Sequence, residues 1–271
     1  MSVRSHCGAL VVFVVCVCLA LLGPVAASAE PAIGPVQDNW SAALAYSVLN
    51  PAAVPQGIND FSCTPAVAHP NPVVLVNGAF ESMYVNWSML APLLRSEGYC
   101  VFGLDYGTVG GLHQVGPLRE SAREVGAFVD RVRSATGAAK VDLVAHSEGG
   151  LVGLYFINQL GGSDKVATMV GLAPITNGIS AYGLLNAIAT NPAVRDAVGA
   201  VIPAVADGTS GSAFVRETGM SGMTRPGVTY LTVSSRTDLI VAVGESQLPA
   251  GPGVTDAVVQ DSCAADLTDH K

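Results

Sequence analysis

Short apolar runs alternate with amphipathic stretches along most of this chain. Val73–Val76, Cys100–Leu104, Val141–Ala145, Val166–Leu172 and Val228–Ser234 are brief and rich in Val and Leu, as strands buried on both faces should be. Between them, the stretches near Trp87–Ser96 and Leu118–Thr136 carry apolar residues at helical spacing, and the run after Ser147 continues as a buried helix. Strands alternating with helices predict an α/β fold: a mostly parallel central sheet, helices on both faces, and ligands at the carboxyl ends of the strands. Residues 30–72, rich in Pro, Ala and Asn, read as an N-terminal arm lying over the core. Residues 179–212 carry apolar helical pieces, Tyr182–Ala189 and Val194–Ala206, broken at Asn191-Pro192 and Pro203, and read as a small helical cap. Residues 73–271 then form one catalytic-sized domain, within the range that a single core supports.

The first residues alter this picture only by being removable. Arg4 is followed by an apolar run from Ala9 to Leu22, then Gly23-Pro24 and Ala27-Ser28-Ala29, which predicts a secretory signal peptide over residues 1–29. The apolar run is shorter than the roughly 20 residues that span a bilayer, and Cys16 and Cys18 lie inside it, so neither a stable membrane anchor nor a lipid-modified cysteine is expected. Cleavage takes Arg4 from the 13 basic residues, leaving 12 against 21 acidic ones and a formal charge of −9. An acidic surface without a basic stripe excludes nucleic acid as the expected partner. Cys63, Cys100 and Cys263 remain, and in an oxidising compartment two should pair. Cys63 precedes the first strong strand and Cys100 begins the next, which favours a Cys63–Cys100 bridge. No Cys and His cluster has metal-ligand spacing, and no metal or cofactor is expected.

Val141 to Gly150, VDLVAHSEGG, carries the chemistry. Ala145-His146-Ser147-Glu148-Gly149 is a small-x-Ser-x-Gly turn from strand to helix, a corner that strains the serine backbone and leaves room only for small residues two positions to either side. Such a turn lifts the Ser147 hydroxyl out of the sheet and points the Glu148 N–H toward a developing oxyanion, at a helix N-terminus whose dipole favours negative charge. A serine nucleophile needs a base, and the base an orienting acid. In the order expected after such an elbow, acid and base both follow the serine. His270 is the one histidine beyond Ser147; His69 and His113 read as loop residues and His146 as elbow packing. Asp238, just past Val228–Ser234, has the position of the acid, in competition with Asp196, Asp207, Asp256, Asp261, Asp266 and Asp269. The loop after Val73–Val76 reads Asn77-Gly78-Ala79: Gly78 permits close backbone approach, and the Ala79 N–H is expected to join that of Glu148 as an oxyanion donor.

With these residues in place, the chain resembles secreted bacterial lipases of the lipase class 2 family, within the α/β-hydrolase fold. The resemblance runs through Asn59-Asp60-Phe61-Ser62-Cys63, HPNPVVLVNGAF, Asn86-Trp87, GYCVFGLDYG, VDLVAHSEGG, VGLAP, SSRTDLIV and QDSCAADLTDH. It implies hydrolysis of lipid esters through an acyl-serine intermediate and a Ser147, Asp238, His270 triad. Asn77 stands where such enzymes usually carry His, and Ala79 where many carry Thr. They also continue past the base with a helix, whereas this sequence stops at Lys271, so the reading expects a truncated C-terminus, a loosely held His270 and a Cys263 without partner. The expected protein is a secreted serine ester hydrolase acting on hydrophobic esters, whose cap admits acyl chains. A short-chain carboxylesterase or polyesterase is the alternative within the class, and a catalytically silent hydrolase-like binding protein the alternative outside it.

Overall fold

The computed structural model describes residues 32–271, so the predicted signal segment lies outside them. In chain order the elements are β1 (Ala32–Ile33), α1 (Trp40–Leu49), β2 (Ala53–Val54), β3 (Val73–Val76), α2 (Met83–Trp87), α3 (Leu90–Ser96), β4 (Val101–Gly103), α4 (Leu118–Thr136), β5 (Val141–His146) and α5 (Glu148–Gln159). They continue with β6 (Val166–Leu172), α6 (Asn186–Thr190), α7 (Pro192–Gly199), α8 (Pro203–Gly208), α9 (Ala213–Gly219), β7 (Thr229–Ser234), α10 (Val243–Ser246), β8 (Val254–Val258) and α11 (Val259–Ser262). A two-stranded parallel sheet joins β1 to β2, and a six-stranded parallel sheet has the order β4-β3-β5-β6-β7-β8.

Successive residues of a strand point to opposite faces, and here both faces are covered. Val74 and Val76, with Phe102, Leu143, Ala145 and Met169, pack under α4 and α5. Val73 and Leu75, with Val101, pack under Met83, Trp87 and Ala91 of α2 and α3. All four β3 residues are therefore buried. Helix α4 buries Leu118, Ala122, Val125, Val129 and Val132, spaced four and three, and ends at Gly137 in the left-handed region (φ 68°). Gly126 lets α4 settle on α5, since a Cβ there would lie 2.9 Å from the Phe156 ring. After β4 the chain crosses to the other side of β3, so the order of the sheet reverses between β3 and β5. Clefts form at the carboxyl ends of strands flanking such a reversal.

The observed elements differ from the pattern in three places. The helix expected near Trp87–Ser96 is two helices, α2 and α3, because Pro92 in the first turn of α3 has no N–H for a preceding turn. Strand β8 was not predicted: Asp256 in its middle reads as a turn residue, yet its carboxylate accepts from Thr232 Oγ1 at 2.5 Å and Leu248 N–H at 3.1 Å. The piece predicted over Tyr182–Ala189 becomes helical only from Asn186, since Ala181 and Tyr182 both have positive φ (48° and 54°). As expected, the piece over Val194–Ala206 is broken at Pro203, giving α7 and α8, each with Pro in its first turn. Cys63 and Cys100 form a disulfide, with Cα atoms 5.8 Å apart, and Cys263 is free and exposed. No helix among the described residues is long and apolar enough to cross a membrane.

Candidate active site

Ser147 occupies the corner between β5 and α5 with φ 51° and ψ −122°, a conformation that L residues rarely adopt. Such strain costs on the order of 1–3 kcal/mol and persists only where the surroundings over-determine it. They do so here: Ser147 N–H donates to the Leu172 carbonyl at 3.1 Å, and the Ser147 carbonyl accepts from Gly150 at 3.0 Å and Ile175 at 2.8 Å. The flanking positions are as crowded as the motif requires. Ala145 is fully buried, and a Cβ on Gly149 would stand 2.5 Å from the carbonyl oxygens of Val76 and Asn77.

Three residues far apart in sequence meet at this corner. His270 Nε2 lies 2.9 Å from Ser147 Oγ, and His270 Nδ1 lies 2.8 Å from Asp238 Oδ2. An ionised carboxylate only accepts, so Nδ1 carries the proton and Nε2 is left to accept from the hydroxyl. Asp238 Oδ1 takes the N–H groups of Ile240 (2.7 Å) and Val241 (2.8 Å), which fixes the carboxylate at the end of β7. The other aspartates considered lie elsewhere: Asp207 caps α4 through Leu118 N–H, Asp256 bonds within the sheet, and Asp261 pairs with Arg236. His270 is not loosely held. Its ring is buried, both ring nitrogens are bonded, and its carbonyl accepts from His146 Nε2 at 2.9 Å.

The facing wall is the loop between β3 and α2. Asn77 is fully buried, donating from Nδ2 to the Leu104 carbonyl (3.0 Å) and Asp105 Oδ1 (3.2 Å) and accepting Trp87 Nε1–H at Oδ1 (2.6 Å). Its own carbonyl accepts from the Tyr106 hydroxyl at 2.6 Å. Gly78 packs against the elbow, where a Cβ would lie 2.8 Å from His146 Nδ1 and 3.1 Å from Ser147 Cβ, and its N–H donates to Asn86 Oδ1 at 2.6 Å. The N–H groups of Ala79 and Glu148 have no acceptor among the described residues.

Burial and charge shape the titration of the site. Burial lowers the His270 pKa below its ordinary 6.5 by more than the Asp238 hydrogen bond raises it. Burial alone would raise Asp238, but the bonds from His270, Val241 and Ile240 together hold it below 3.8. Glu148 is buried without a compensating cation and beside Asp207, which pushes it up to about 8 and keeps its carboxyl mostly neutral at pH 7. Glu81 behaves oppositely: burial is overcome by His146 and Lys271, and it is held down to about 2. Sequence reasoning missed Glu81, Asn86 and Asp105, and assigned His146 to packing alone. The available signal was the cluster of polar residues, Glu81, Ser82 and Asn86, immediately after an oxyanion-type loop.

A cavity of about 380 Å³ touches His146 and His270 and is otherwise mainly apolar, with Trp40, Val85, Leu90 and Val259 in its wall. Neither Ser147 nor Ala79 lines it. Phe80, Tyr182 and Leu239 are more than half exposed. They adjoin Ala79 and Asp238: Phe80 follows Ala79, Leu239 follows Asp238, and the Tyr182 hydroxyl donates to the Asp238 carbonyl at 2.6 Å. Among the described residues, no group of three or more His, Cys, Asp or Glu side chains is arranged to hold a metal ion.

A parallel sheet reversing between β3 and β5, with a strained serine on the elbow after β5, is the α/β-hydrolase fold. Residues 70–262 match the lipase (class 2) family, and the chain belongs to that family of lipid ester hydrolases. Its fold is similar to Bacillus licheniformis lipase BlEst2 in mature form, at TM-score 0.56 and 18% identity, covering 72% of this chain and 85% of that one. It is also similar to Aspergillus fumigatus lipase B, at TM-score 0.62 and 17% identity, over 92% of this chain and 58% of that longer one. A putative hydrolase from Agrobacterium vitis S4 matches at TM-score 0.55 and 19% identity, over 76% of this chain and 83% of that one.

Proposed function

We propose that this protein is a secreted serine ester hydrolase that cleaves lipid or other hydrophobic esters through an acyl-serine intermediate. The observation that carries the reading is the unbroken bond sequence from Ser147 Oγ through His270 to Asp238. In the forward step, Ser147 Oγ attacks the ester carbonyl carbon and its proton passes to His270 Nε2. Asp238 holds the useful tautomer and stabilises the imidazolium that forms. The carbonyl oxygen becomes an oxyanion beside the N–H groups of Ala79 and Glu148, each of which typically contributes about 3–4 kcal/mol to lowering the barrier. His270 then returns the proton to the departing alcohol. Water, deprotonated by the same imidazole, attacks the acyl-serine and releases the acid. A His270 pKa below its ordinary value suits this work, because the ring is neutral and able to accept a proton at pH 7.

Substrate class follows from the surroundings of the reacting atoms. Exposed Phe80 follows Ala79, exposed Leu239 follows Asp238, and exposed Tyr182 bonds to the Asp238 carbonyl, apolar surface that suits an acyl chain or an ester surface better than a polar substrate. The segment 179–212, which carries Tyr182, acts as the cap in this reading. Secretion is supported by the signal-like first 29 residues and by the Cys63–Cys100 disulfide, a bond that persists in oxidising compartments.

The test is labelling of the mature secreted protein with a fluorophosphonate, followed by peptide mapping and a series of p-nitrophenyl esters of increasing chain length. Stoichiometric label on Ser147, abolished in Ser147→Ala together with at least about 10⁴-fold of the esterase rate, is the expected result. A folded wild-type protein that takes no label would overturn the serine mechanism in favour of a silent binding module. A preference for short, soluble esters with no gain on emulsified substrate would replace lipase by short-chain carboxylesterase.

A further inference from the structure

The ring of His146 stands between the two walls of the site, bonded to both. Its Nε2 lies 2.9 Å from the His270 carbonyl oxygen, which can only accept, so Nε2 carries a proton. Its Nδ1 lies 3.1 Å from Asn86 Nδ2. The orientation of that amide is fixed from the other end, because Asn86 Oδ1 accepts the Gly78 N–H at 2.6 Å. The ring therefore sits between Asn86, which holds Gly78, and the His270 carbonyl, to which its Nε2–H donates. It connects the loop that carries Ala79 to the backbone of the base, and His146 is only 7% exposed.

A buried carboxylate lies beside the same ring. Glu81, itself 2% exposed, accepts Trp40 Nε1–H at 2.6 Å and the Lys271 ammonium at Oε1, and its Oε2 lies 3.3 Å from His146 Nδ1. The backbone of His270 and the side chain of Lys271 thus end on one buried cluster. Among the described residues, His146 makes the only hydrogen bond to the His270 main chain. Packing alone explains none of this, since an apolar side chain would fill the same space without partners for two nitrogens.

We propose that His146 is a positioning residue: its Nε2–H bond to the His270 carbonyl sets the distance between the base and the oxyanion loop. The proposal rests on the reading of Ser147, His270 and Asp238 as a triad. A catalytic imidazole displaced by about 1 Å can lose on the order of 100-fold in rate, so one buried bond to its backbone has ample leverage.

The test compares His146→Gln with His146→Asn. The Gln amide nitrogen falls near the place of Nε2 and can keep the bond to His270; the Asn amide falls near Nδ1 and keeps only the Asn86 side. Thermal melts, kcat and KM for p-nitrophenyl butyrate, and the rate of fluorophosphonate labelling at Ser147 are measured for both and for the wild type. The Gln variant is expected within about 5-fold of the wild-type kcat, while the Asn variant loses about 30-fold or more in kcat and in labelling rate with KM within about 3-fold. Equal losses in two folded variants, or an Asn variant with wild-type kcat, would overturn the proposal. So would a Gln variant that melts like the wild type yet loses about 30-fold, a result that decides the matter even if the Asn variant does not fold. A wild type without label at Ser147 would defeat the triad and this proposal together, whereas a labelled wild type with indistinguishable variants defeats this proposal alone.

Discussion

The two walls around Ser147 are built differently. The oxyanion wall, Asn77 to Asn86, follows a fully buried central strand and is fixed by side-chain bonds to Leu104, Asp105 and Trp87 within a continuous core. The base wall comes from the carboxyl-end loop of β7 and from residues 268–271, which lie beyond the last strand. It is held between loops rather than within the core: by the Asp238 carboxylate, the His146 bond, the Lys271–Glu81 pair, the Tyr182 hydroxyl on the Asp238 carbonyl, the Gln260 side chain on Arg236 N–H and Ser235 Oγ, and the Thr268 carbonyl accepting from Ser235 and Thr237. Leu239 in that wall and Leu267 just before its last residues are about 80% exposed. Damage to the first wall should therefore appear mainly as lost stability, and damage to the second mainly as lost activity.

The largest expected effect tests the second half of that statement. Asp238→Asn keeps an acceptor for Ile240 and Val241 but removes the charge that holds the His270 tautomer, so kcat/KM should fall on the order of 10⁴-fold while the melting temperature moves by only a few degrees. In the wild type, the acid limb of kcat/KM should have its midpoint below 6.5, because activity needs neutral His270 and burial depresses its pKa. A variant that loses stability in proportion to activity would break the distinction between the walls.

Asn77→Leu probes the first wall and should produce the next largest effect. The substitution conserves volume but leaves Trp87 Nε1–H and the Leu104 carbonyl without the partners that the Asn77 side chain supplies, and Asp105 Oδ1 with one donor fewer; each buried orphan typically costs about 1–3 kcal/mol. Urea denaturation should show a loss of about 3 kcal/mol, with the residual kcat of the folded fraction reduced far less than in Asp238→Asn. A stable Asn77→Leu protein with crippled kcat would mean that damage to the oxyanion loop, too, shows in activity rather than in stability.

How far the sequence could be read follows the same division. The central strands and the elbow were legible because their determinants are contiguous: a run of Val and Leu buried on both faces, then a serine between residues with no room for larger side chains. Asp238 and His270 were legible from their order along the chain. The bonds of His146 were not, because its partners, Asn86 and the carbonyl of His270, are distant in sequence and one is backbone, which leaves no mark in residue type. Strand β8 was hidden by Asp256, whose carboxylate is satisfied by Thr232 on the neighbouring strand. The split of the expected helix at Pro92 was readable from local chemistry, since a proline early in an apolar run starts a helix more readily than it continues one.

The smallest effect on neutral-pH activity is expected at Glu148, where the two walls meet. Its N–H is the proposed oxyanion donor, but its carboxyl is buried, lacks a partner for Oε1 and is pushed up to about 8. Between its ordinary 4.5 and about 8, the native chain holds a proton here that the unfolded chain has released. The native state binds more protons across that window, so stability falls as pH rises through it and levels off above about 8. Glu148→Gln abolishes the slope: at pH 9 it should be more stable than the wild type by on the order of 3 kcal/mol, a figure discounted for local relaxation. At pH 7 the wild-type carboxyl is mostly neutral, and the variant should differ in kcat by less than about 3-fold. Above pH 8 the wild type acquires a buried negative charge one residue from the nucleophile, which opposes an oxyanion. Its alkaline limb should therefore lie near that value, and in the Gln variant it should move upward. Parallel pH profiles of stability and kcat for the two proteins decide this; a wild-type stability that does not decline between pH 5 and about 8 would show that Glu148 finds a partner when charged.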